Sequence, residues 1–546
     1  MTLDEDHPST VCGRRSRPLN FRHDSVYPSR RSPVLARNIV ATSQPLAAQA
    51  GLRMLMAGGN AVDAALAAAM TLVVVEPSGN GLGSDAFAIV WDGRELHGLN
   101  ASGRSPAGWT PERFAGGMAE RGWDSVTVPG AVSAWADLSA RFGKLPFEAL
   151  LAPAIAYARD GFLVSPVIGE LWRRAQITLG DQPGFAEAFL PGGRAPRAGE
   201  VFGSPALADS LRLIAETKGE AFYRGALAER IAAFSREHGA AMTEADLAEH
   251  RNDWCGTIST DFRGVSLHEI PPNGQGIAAC MALGILGHLG LERYGPDSVE
   301  ALHLQIEAMK LAFRDVDAYV GDEAAMLKVG ARDLLDDGYL EARASLVDPD
   351  RAIDFASGAP RNGGTVYVTA ADADGMMVSY IQSNYMGFGS GVVVPGTGIS
   401  LQNRGFGFTN EAGHPNSVAP RKRPRHTIVP AFLMKGGAPL MSFGVMGGPM
   451  QPQGHLQMTL RTQLWDQDPQ TAADAPRWRV VSGLRVAVED SMDETLASAL
   501  AARGHAVVRE PPDDAFAFGG AQAIQRVDGG YVAGSDPRKD GQAVGY

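Results

Sequence analysis

Apolar and polar positions follow two rhythms along this chain, and the rhythm changes twice. Residues 1–35 carry no sustained pattern and read as an irregular lead-in rich in Pro, Ser and Arg. Order begins with the short apolar strand Asn38-Ile39-Val40-Ala41. Ser43-Gln44-Pro45 then opens a helix, with a hydroxyl cap and proline in the first turn, which stops at Gly58-Gly59. From Asn60 to about Val75 the chain is alanine and aliphatic on nearly every side, so this helix belongs in a core. Residues 86–91 and 95–100 pair as a hairpin around Asp92-Gly93. The middle of the chain has a helical period, with helices over 131–142, 147–159, 205–216, 226–238 and 244–250. A strand at 261–265 and a loop at 271–276 lead to another helix, then to a long amphipathic one over 298–322. Leu302, Ile306, Met309 and Phe313 form its apolar stripe, and Glu307, Arg314 and Asp315 read as surface or interhelical pairs. Residues 323–361 are mixed and polar, as in a linker. The period then becomes that of strands: 365–371 and 376–383 around Asp374-Gly375, and 428–434 and 440–445 around Gly436-Gly437. A helix at about 454–466 and one further β/α segment close the chain. Early strands, a helical middle and late strands imply one α/β domain whose sheets draw on both ends of the chain.

Composition narrows the classes. A net charge of −12 argues against a general binder of nucleic acid or anionic membranes. Cys12, Cys255 and Cys280 are far apart and lack any CxxC or Cys/His spacing, so neither zinc nor a disulfide framework is indicated. They read as a tail thiol and two buried small hydrophobes. The N-terminus is polar and acidic with no apolar signal core, and the longest apolar stretch, 64–75, is too short to span a membrane. A soluble, cytoplasmic protein without metal or cofactor is expected.

Chemistry concentrates at Asn362-Gly363-Gly364-Thr365, which feeds a strand. Taken locally this is a loop entering a sheet. It is also what a chain needs if the Thr365 hydroxyl is to attack the carbonyl before it, since two glycines clear one face of that peptide bond. The product would be an N-terminal threonine carrying nucleophile and base together. Ser78-Gly79-Asn80-Gly81-Leu82-Gly83-Ser84-Asp85 lacks the GxGxxG spacing of a dinucleotide loop and reads as a turn that lets a helix pack closely on a sheet. Arg104, on a Gly/Ser/Pro loop, is either a solvated surface residue or a carboxylate clamp.

Several separated stretches share one order and spacing. They are Gly58-Gly59-Asn60-Ala61-Val62-Asp63-Ala64-Ala65 with Val75-Glu76-Pro77, Val128-Pro129-Gly130, Ala158-Arg159-Asp160-Gly161-Phe162, and Glu307-Ala308-Met309-Lys310-Leu311-Ala312-Phe313 with Gly321-Asp322. Gly363-Gly364-Thr365, Phe388-Gly389-Ser390-Gly391, Lys422-Arg423-Pro424 and Gly447-Gly448 complete the set. Together they resemble the γ-glutamyltransferase family over about residues 36–545. The resemblance implies an N-terminal-nucleophile hydrolase of mixed α/β (α+β) class, a four-layer αββα sandwich. It implies a proenzyme that cuts itself between Gly364 and Thr365 into a large chain (36–364, after the lead-in) and a small chain (365–546), both forming one structural domain. Thr365 would serve autoprocessing and catalysis, and the Gly447 and Gly448 N–H groups the oxyanion hole, where losing one donor costs about 3–4 kcal/mol. Arg104 matches the arginine that clamps the substrate carboxylate, Ser383 falls where members carry a hydroxyl near the nucleophile, and Thr369 would support Thr365 from the same strand face. The partners implied are a small-molecule amide or peptide substrate and the two processed chains themselves. Further assembly of such heterodimers is compatible with the sequence.

Departures from the family pattern fall in the acyl pocket. Where members hold the substrate's α-ammonium with an Asn and an acidic cluster, this chain has Tyr385 (beside Asn384) and Leu401-Gln402-Asn403-Arg404-Gly405-Phe406-Gly407-Phe408. Gly407 takes the acidic position and Arg404 enters instead. The paired serines that help hold the α-carboxylate read as His426-Thr427, and residues 410–421 are short for a lid. An ammonium held without a carboxylate loses a charge-assisted bond worth about 1.5–3 kcal/mol. The pocket therefore favours an anion, through Arg104, Arg404 and His426, with a weakened claim on an ammonium. His426 as a general base is a rival to the α-amine, which already fills that role. The expected activity is γ-glutamyl hydrolysis or transfer on glutathione-like substrates through an acyl-enzyme. The alternative is an acid-amide without the ammonium, oxamate or a glutaryl amide as in the family's cephalosporin acylases. A reading of another class is an unprocessed binding protein that keeps the fold without the chemistry.

Overall fold

The computed structural model describes residue 27 and residues 31–356, 363–512 and 517–546. Cys12, Asn362 and most of the 1–35 lead-in lie outside the described residues. Two seven-stranded antiparallel sheets stack face to face. The first runs β14 (Gln542–Gly545), β2 (Ile39–Thr42), β8 (Gly364–Ala371), β9 (Met377–Tyr385), β3 (Asp85–Trp91), β4 (Leu96–Asn100) and β5 (Asp253–Trp254). The second runs β1 (Val34–Ala36), β13 (Gly530–Ser535), β12 (Gly520–Val527), β11 (Ala438–Met446), β10 (Ala431–Lys435), β7 (Val265–Glu269) and β6 (Ile258–Phe262). Helices α1 (Pro45–Met56), α2 (Ala61–Val75) and α3 (Ala131–Phe142) cover the outer face of the first sheet. Helices α4 (Ile277–Gly287) and α6 (Met450–Gln463) cover the second, with α5 (Val299–Tyr319) against α4. This is the expected αββα sandwich.

Side-chain alternation on β8 decides what faces the site. Val366, Val368 and Ala370 pack into the helix-side core, while Tyr367 packs between the sheets. Thr365 and Thr369 share Tyr367's parity and turn inward between the layers. Thr369 Oγ1 lies 2.5 Å from Ser442 Oγ on β11, so it ties the two sheets together. The β8–β9 register shifts between Gly364↔Tyr385 and Val366↔Gln382, which sets Ser383 and Asn384 together opposite Thr365. A bulge of this kind re-aims side chains at the end of a ladder. Tyr385 closes it with φ at 78°. A left-handed tyrosine costs about 1–3 kcal/mol, which the surrounding sheet must offset.

Several expectations are corrected. Order begins before Asn38, because β1 pairs with β13 at the edge of the second sheet. The helix at Pro45 is capped by Gln44, whose side chain accepts from Leu46 and Ala47 N–H, while the Ser43 hydroxyl donates to Glu76 instead. The strand expected at 261–265 is a hairpin turn: Arg263 and Gly264 have φ of 51° and 82° between β6 and β7. Helix α6 starts at Met450 rather than near 454, because Pro452 sits in its first turn, where no N–H is needed. Glu307 is fully buried in an ion pair with Lys310, not on a surface. That pair clamps residue 353: Glu307 Oε2 accepts the Ile353 N–H at 3.1 Å and Lys310 Nζ donates to its carbonyl at 2.7 Å. Cys280 is buried and Cys255 only partly so. Among the described residues no helix is long and apolar enough to cross a membrane.

Candidate active site

Thr365 is 1% exposed at the start of β8, and its hydroxyl donates to the Gly364 carbonyl at 2.8 Å. Ser383 Oγ donates to the same carbonyl oxygen at 2.6 Å, accepts the Tyr385 N–H at 2.7 Å and lies 3.4 Å from Thr365 Oγ1. Two hydroxyls therefore polarise the peptide carbonyl that precedes Thr365. The bulge accounts for this, since it turns Ser383 toward the Gly364–Thr365 bond instead of into the ladder.

Gly447 and Gly448 form the turn from β11 into α6, with φ of 114° and 58°. The Gly448 carbonyl is drawn back by Gln275 Nε2 at 2.9 Å and by the Gln451 N–H at 3.1 Å. Both glycine amides sit at the positive end of α6, suited to a developing oxyanion. Gln451, in the first turn of that helix, reaches back to Thr365: its Nε2 donates to Thr365 Oγ1 at 3.3 Å.

The glycine run at 78–83 has a different task from the turn expected of it. Ser78 O accepts the Phe388 N–H and Gly79 O the Asn384 N–H, at 3.0 and 3.1 Å. A Cβ on Gly79 would stand 3.2 Å from the Thr365 carbonyl oxygen, and one on Gly81 only 2.1 Å from Ser400 Oγ. The loop lies against the backbone of the candidate nucleophile, closely enough that a methyl at Gly79 would force its neighbours to shift. Asn384 belongs to this packing, since its amide accepts from Ser84 Oγ at 2.8 Å and donates to Ser400 Oγ at 3.1 Å.

Arg404 is 1% exposed, with its guanidinium 4.6 Å over the ring of Tyr385, the residue paired with Gly364. Nη1 donates to Thr427 Oγ1 at 2.6 Å, whereas Nε and Nη2 have no hydrogen-bond partner among the described residues. Burial brings its pKa down to about 10, against the pull of Asp85. Gln275 Nε2 joins the Thr427 carbonyl, at 2.6 Å, to the Gly448 carbonyl. The Gly447-Gly448 turn, Gln275, Thr427, Arg404, Tyr385 and Gly364 thus form one connected set of contacts, and Arg404 is the cation on it.

His426 joins this set through its backbone, the carbonyl accepting the Gln275 N–H at 3.0 Å, while its imidazole faces Asp85. Its Nδ1 accepts the Ile428 N–H at 3.4 Å, which leaves Nε2–H to donate to Asp85 Oδ2 at 3.0 Å. Burial, reinforced by Arg404 and Arg423, holds the imidazole well below its usual pKa, so it is neutral. Asp85 also accepts from Gly103 and Gly130 N–H, and burial raises its pKa to about 7. Arg104 is further out. It lies 3.5 Å from Asp253, an acid that Arg423 also contacts, and lines a cleft of about 380 Å³ with His250 and Glu249. Thr365 is not among the residues lining that cleft. The structure therefore gathers Gly364, Thr365, Ser383, Tyr385, Arg404, Thr427 and the glycine pair, and leaves the side chains of Arg104, Asn384 and His426 in neighbouring networks. Gln275 and Gln451 carry no motif of their own. They stand out only once folding brings them to the nucleophile.

Three comparisons bear on this arrangement. The Gamma-glutamyltranspeptidase family model matches residues 47–546. The chain is 38% identical to the glutathione hydrolase-like YwrD proenzyme of Bacillus subtilis, over 94% of this chain and 99% of that one. It is 36% identical to the oxamate amidohydrolase proenzyme of Klebsiella pneumoniae, over 94% and 99%. Among solved structures, cephalosporin acylase from Bacillus halodurans superposes with a TM-score of 0.90 at 48% identity, covering 96% of this chain and 99% of that one. A family match over most of the length, on relatives covered nearly end to end, agrees with the αββα sandwich and the threonine at the head of β8: the chain belongs to the gamma-glutamyltranspeptidase family, whose members are self-processing amidohydrolases and transpeptidases.

Proposed function

We propose that this protein is a self-processing threonine amidohydrolase that cuts itself between Gly364 and Thr365. Residues 1–364 and 365–546 stay paired afterwards. The observation that carries the reading is the Thr365 hydroxyl 2.8 Å from the Gly364 carbonyl oxygen, which also accepts from Ser383. In the precursor the hydroxyl oxygen adds to the Gly364 carbonyl carbon, the C–N bond breaks with the hydroxyl proton ending on the Thr365 nitrogen, and water hydrolyses the resulting ester. The freed α-amine then serves as base when Thr365 attacks a substrate amide, while the Gly447 and Gly448 N–H groups receive the oxyanion. The acyl-enzyme passes its acyl group to water or to an acceptor amine. The names of the relatives suit this chemistry, since those compared by sequence are called proenzymes.

The family default for the acyl group is γ-glutamyl, from glutathione-like substrates. The two unpartnered donors of Arg404 favour a second reading, an acid-amide whose carboxylate is met there and which carries no α-ammonium. Oxamate and glutaryl amides are of that kind. A panel of γ-glutamyl anilide, glutaryl anilide and oxamate tests both readings. Turnover of the latter two at least tenfold above γ-glutamyl anilide is expected. Efficient turnover of γ-glutamyl anilide alone would remove the second reading, and no turnover of any amide, with Thr365→Ala as the blank, would remove the first.

A further inference from the structure

We infer that Gln451 is a further catalytic residue, one that stabilises the Thr365 oxygen each time that oxygen leaves an ester. The inference rests on Thr365 being the nucleophile. Gln451 is fully buried in the first turn of α6, directly after the Gly447-Gly448 turn. Its orientation is fixed from one side: Oε1 accepts the Val429 N–H at 2.9 Å. An amide has one acceptor end and one donor end, so anchoring the acceptor commits the donor. That donor, Nε2, meets Thr365 Oγ1 at 3.3 Å. Ser383 does a different job, because it is 2.6 Å from the Gly364 carbonyl oxygen and 3.4 Å from Thr365 Oγ1. The two residues divide the reacting peptide between them, one on the carbonyl oxygen and one on the attacking oxygen.

An amide N–H has no proton to give up at neutral pH, so Gln451 is not a base. A donor bond to a hydroxyl oxygen slightly weakens it as a nucleophile. The same bond strengthens when the oxygen gains negative charge. In self-cleavage this happens when water has added to the Gly364–Oγ1 ester and the C–Oγ1 bond breaks. Gly364 keeps the new carboxylate, Oγ1 takes the bonding pair and recovers a proton from the attacking water, and Gln451 keeps its own protons throughout. Deacylation during turnover repeats the step with the substrate's acyl group. Gln451 therefore acts on ester breakdown more than on ester formation.

The test uses the full chain and follows the precursor band with time for Thr365→Ala, Gln451→Leu and Gln451→Glu. Removing one preorganised donor slows such steps by about 10²–10³-fold, and the longer bond here predicts at least about tenfold slower processing of Gln451→Leu. Neutral hydroxylamine, which cleaves esters, should restore the two fragments in that variant. Gln451→Glu keeps an acceptor for the Val429 N–H, so it decides the matter should the leucine variant misfold. It should process slowly at pH 8 and regain speed relative to wild type as the pH is lowered and its carboxyl acquires a donor proton. In the mature enzyme, an anilide substrate should give a burst followed by a reduced kcat, with KM reduced in parallel. Wild-type processing in both variants, with Thr365→Ala uncut, would overturn the role of Gln451 alone. Slow processing that ignores both pH and hydroxylamine would mark a structural residue and overturn it as well. Normal cleavage of Thr365→Ala would instead bring down the nucleophile itself.

Discussion

A guanidinium buried with two nitrogens unmet among the described residues is costly, of the order of 1–3 kcal/mol for each unsatisfied group, so Arg404 makes most sense as half of an interaction. Replacing it with methionine keeps the bulk over Tyr385 and removes the charge. Arg404→Met should lower kcat/KM for glutaryl anilide by about 10- to 100-fold, the value of one or two charge-assisted bonds. Steady-state kinetics check this, and an unchanged kcat/KM would contradict it. Asp85, in the neighbouring network with the His426 imidazole, gives a pH signature. Burial raises its pKa from 3.8 to about 7, so the folded chain holds a proton there that the unfolded chain has released. Stability from this group is therefore present below about pH 3.8 and is lost as pH rises toward 7, beyond which it stays level. Urea midpoints at pH 5 and pH 8 should fall less steeply for Asp85→Asn than for wild type, whatever the variant's absolute stability. Thr365 and Ser383 stand out in the sequence because they sit at family-motif positions, and Arg404 because it departs from one. Gln451 does not, because its partner Thr365 is 86 positions away and nothing one-dimensional links them.

Strand β8 owes its position to alternation, but the chemistry at its head depends on elements that alternation does not report. The loop at 78–83 is one of these. Its glycines suggested helix-on-sheet packing, and they in fact admit the loop against the Thr365 backbone, a contact between segments distant in sequence. Gly79→Ala would push a methyl to 3.0 Å from Val366 Cγ1 and 3.2 Å from the Thr365 carbonyl. Overpacking of that kind costs about 1–3 kcal/mol. The variant should show a lower urea midpoint and a precursor that persists several times longer on a denaturing gel. Wild-type behaviour in both measurements would show that the loop does not hold the cleavage site. Helix α6 is the second such element. Pro449, Pro452 and Gly454 hid its first turn, because prolines that end a helix elsewhere are accommodated at its start. The turn at Arg263-Gly264 was missed for the opposite reason: the apolar residues Phe262 and Val265 flank it closely enough to read as one strand.

The sandwich as a whole weaves the two ends of the chain together. Strand β2 lies between β8 and β14, so a cut before Thr365 would leave a strand of the large chain hydrogen-bonded on both edges to the small one. In the second sheet β7 of the large chain pairs with β10 of the small, and β1 with β13. Separating the products would mean dismantling both sheets. Processed material should run as one species on gel filtration and as two bands only in denaturant, and native separation of the chains would contradict this interleaving. The early and late strands with a helical middle foretold the layers, since hydrophobic period survives in sequence. The strand order did not follow from it, because pairing of β2 with β8 and β14 is long-range. The most direct measurement is N-terminal sequencing of the smaller band from purified wild-type and Thr365→Ala protein. The geometry predicts Thr365-Val366-Tyr367 from wild type and no smaller band from the variant. A single full-length band in wild type, or the same cleavage in Thr365→Ala, would contradict it.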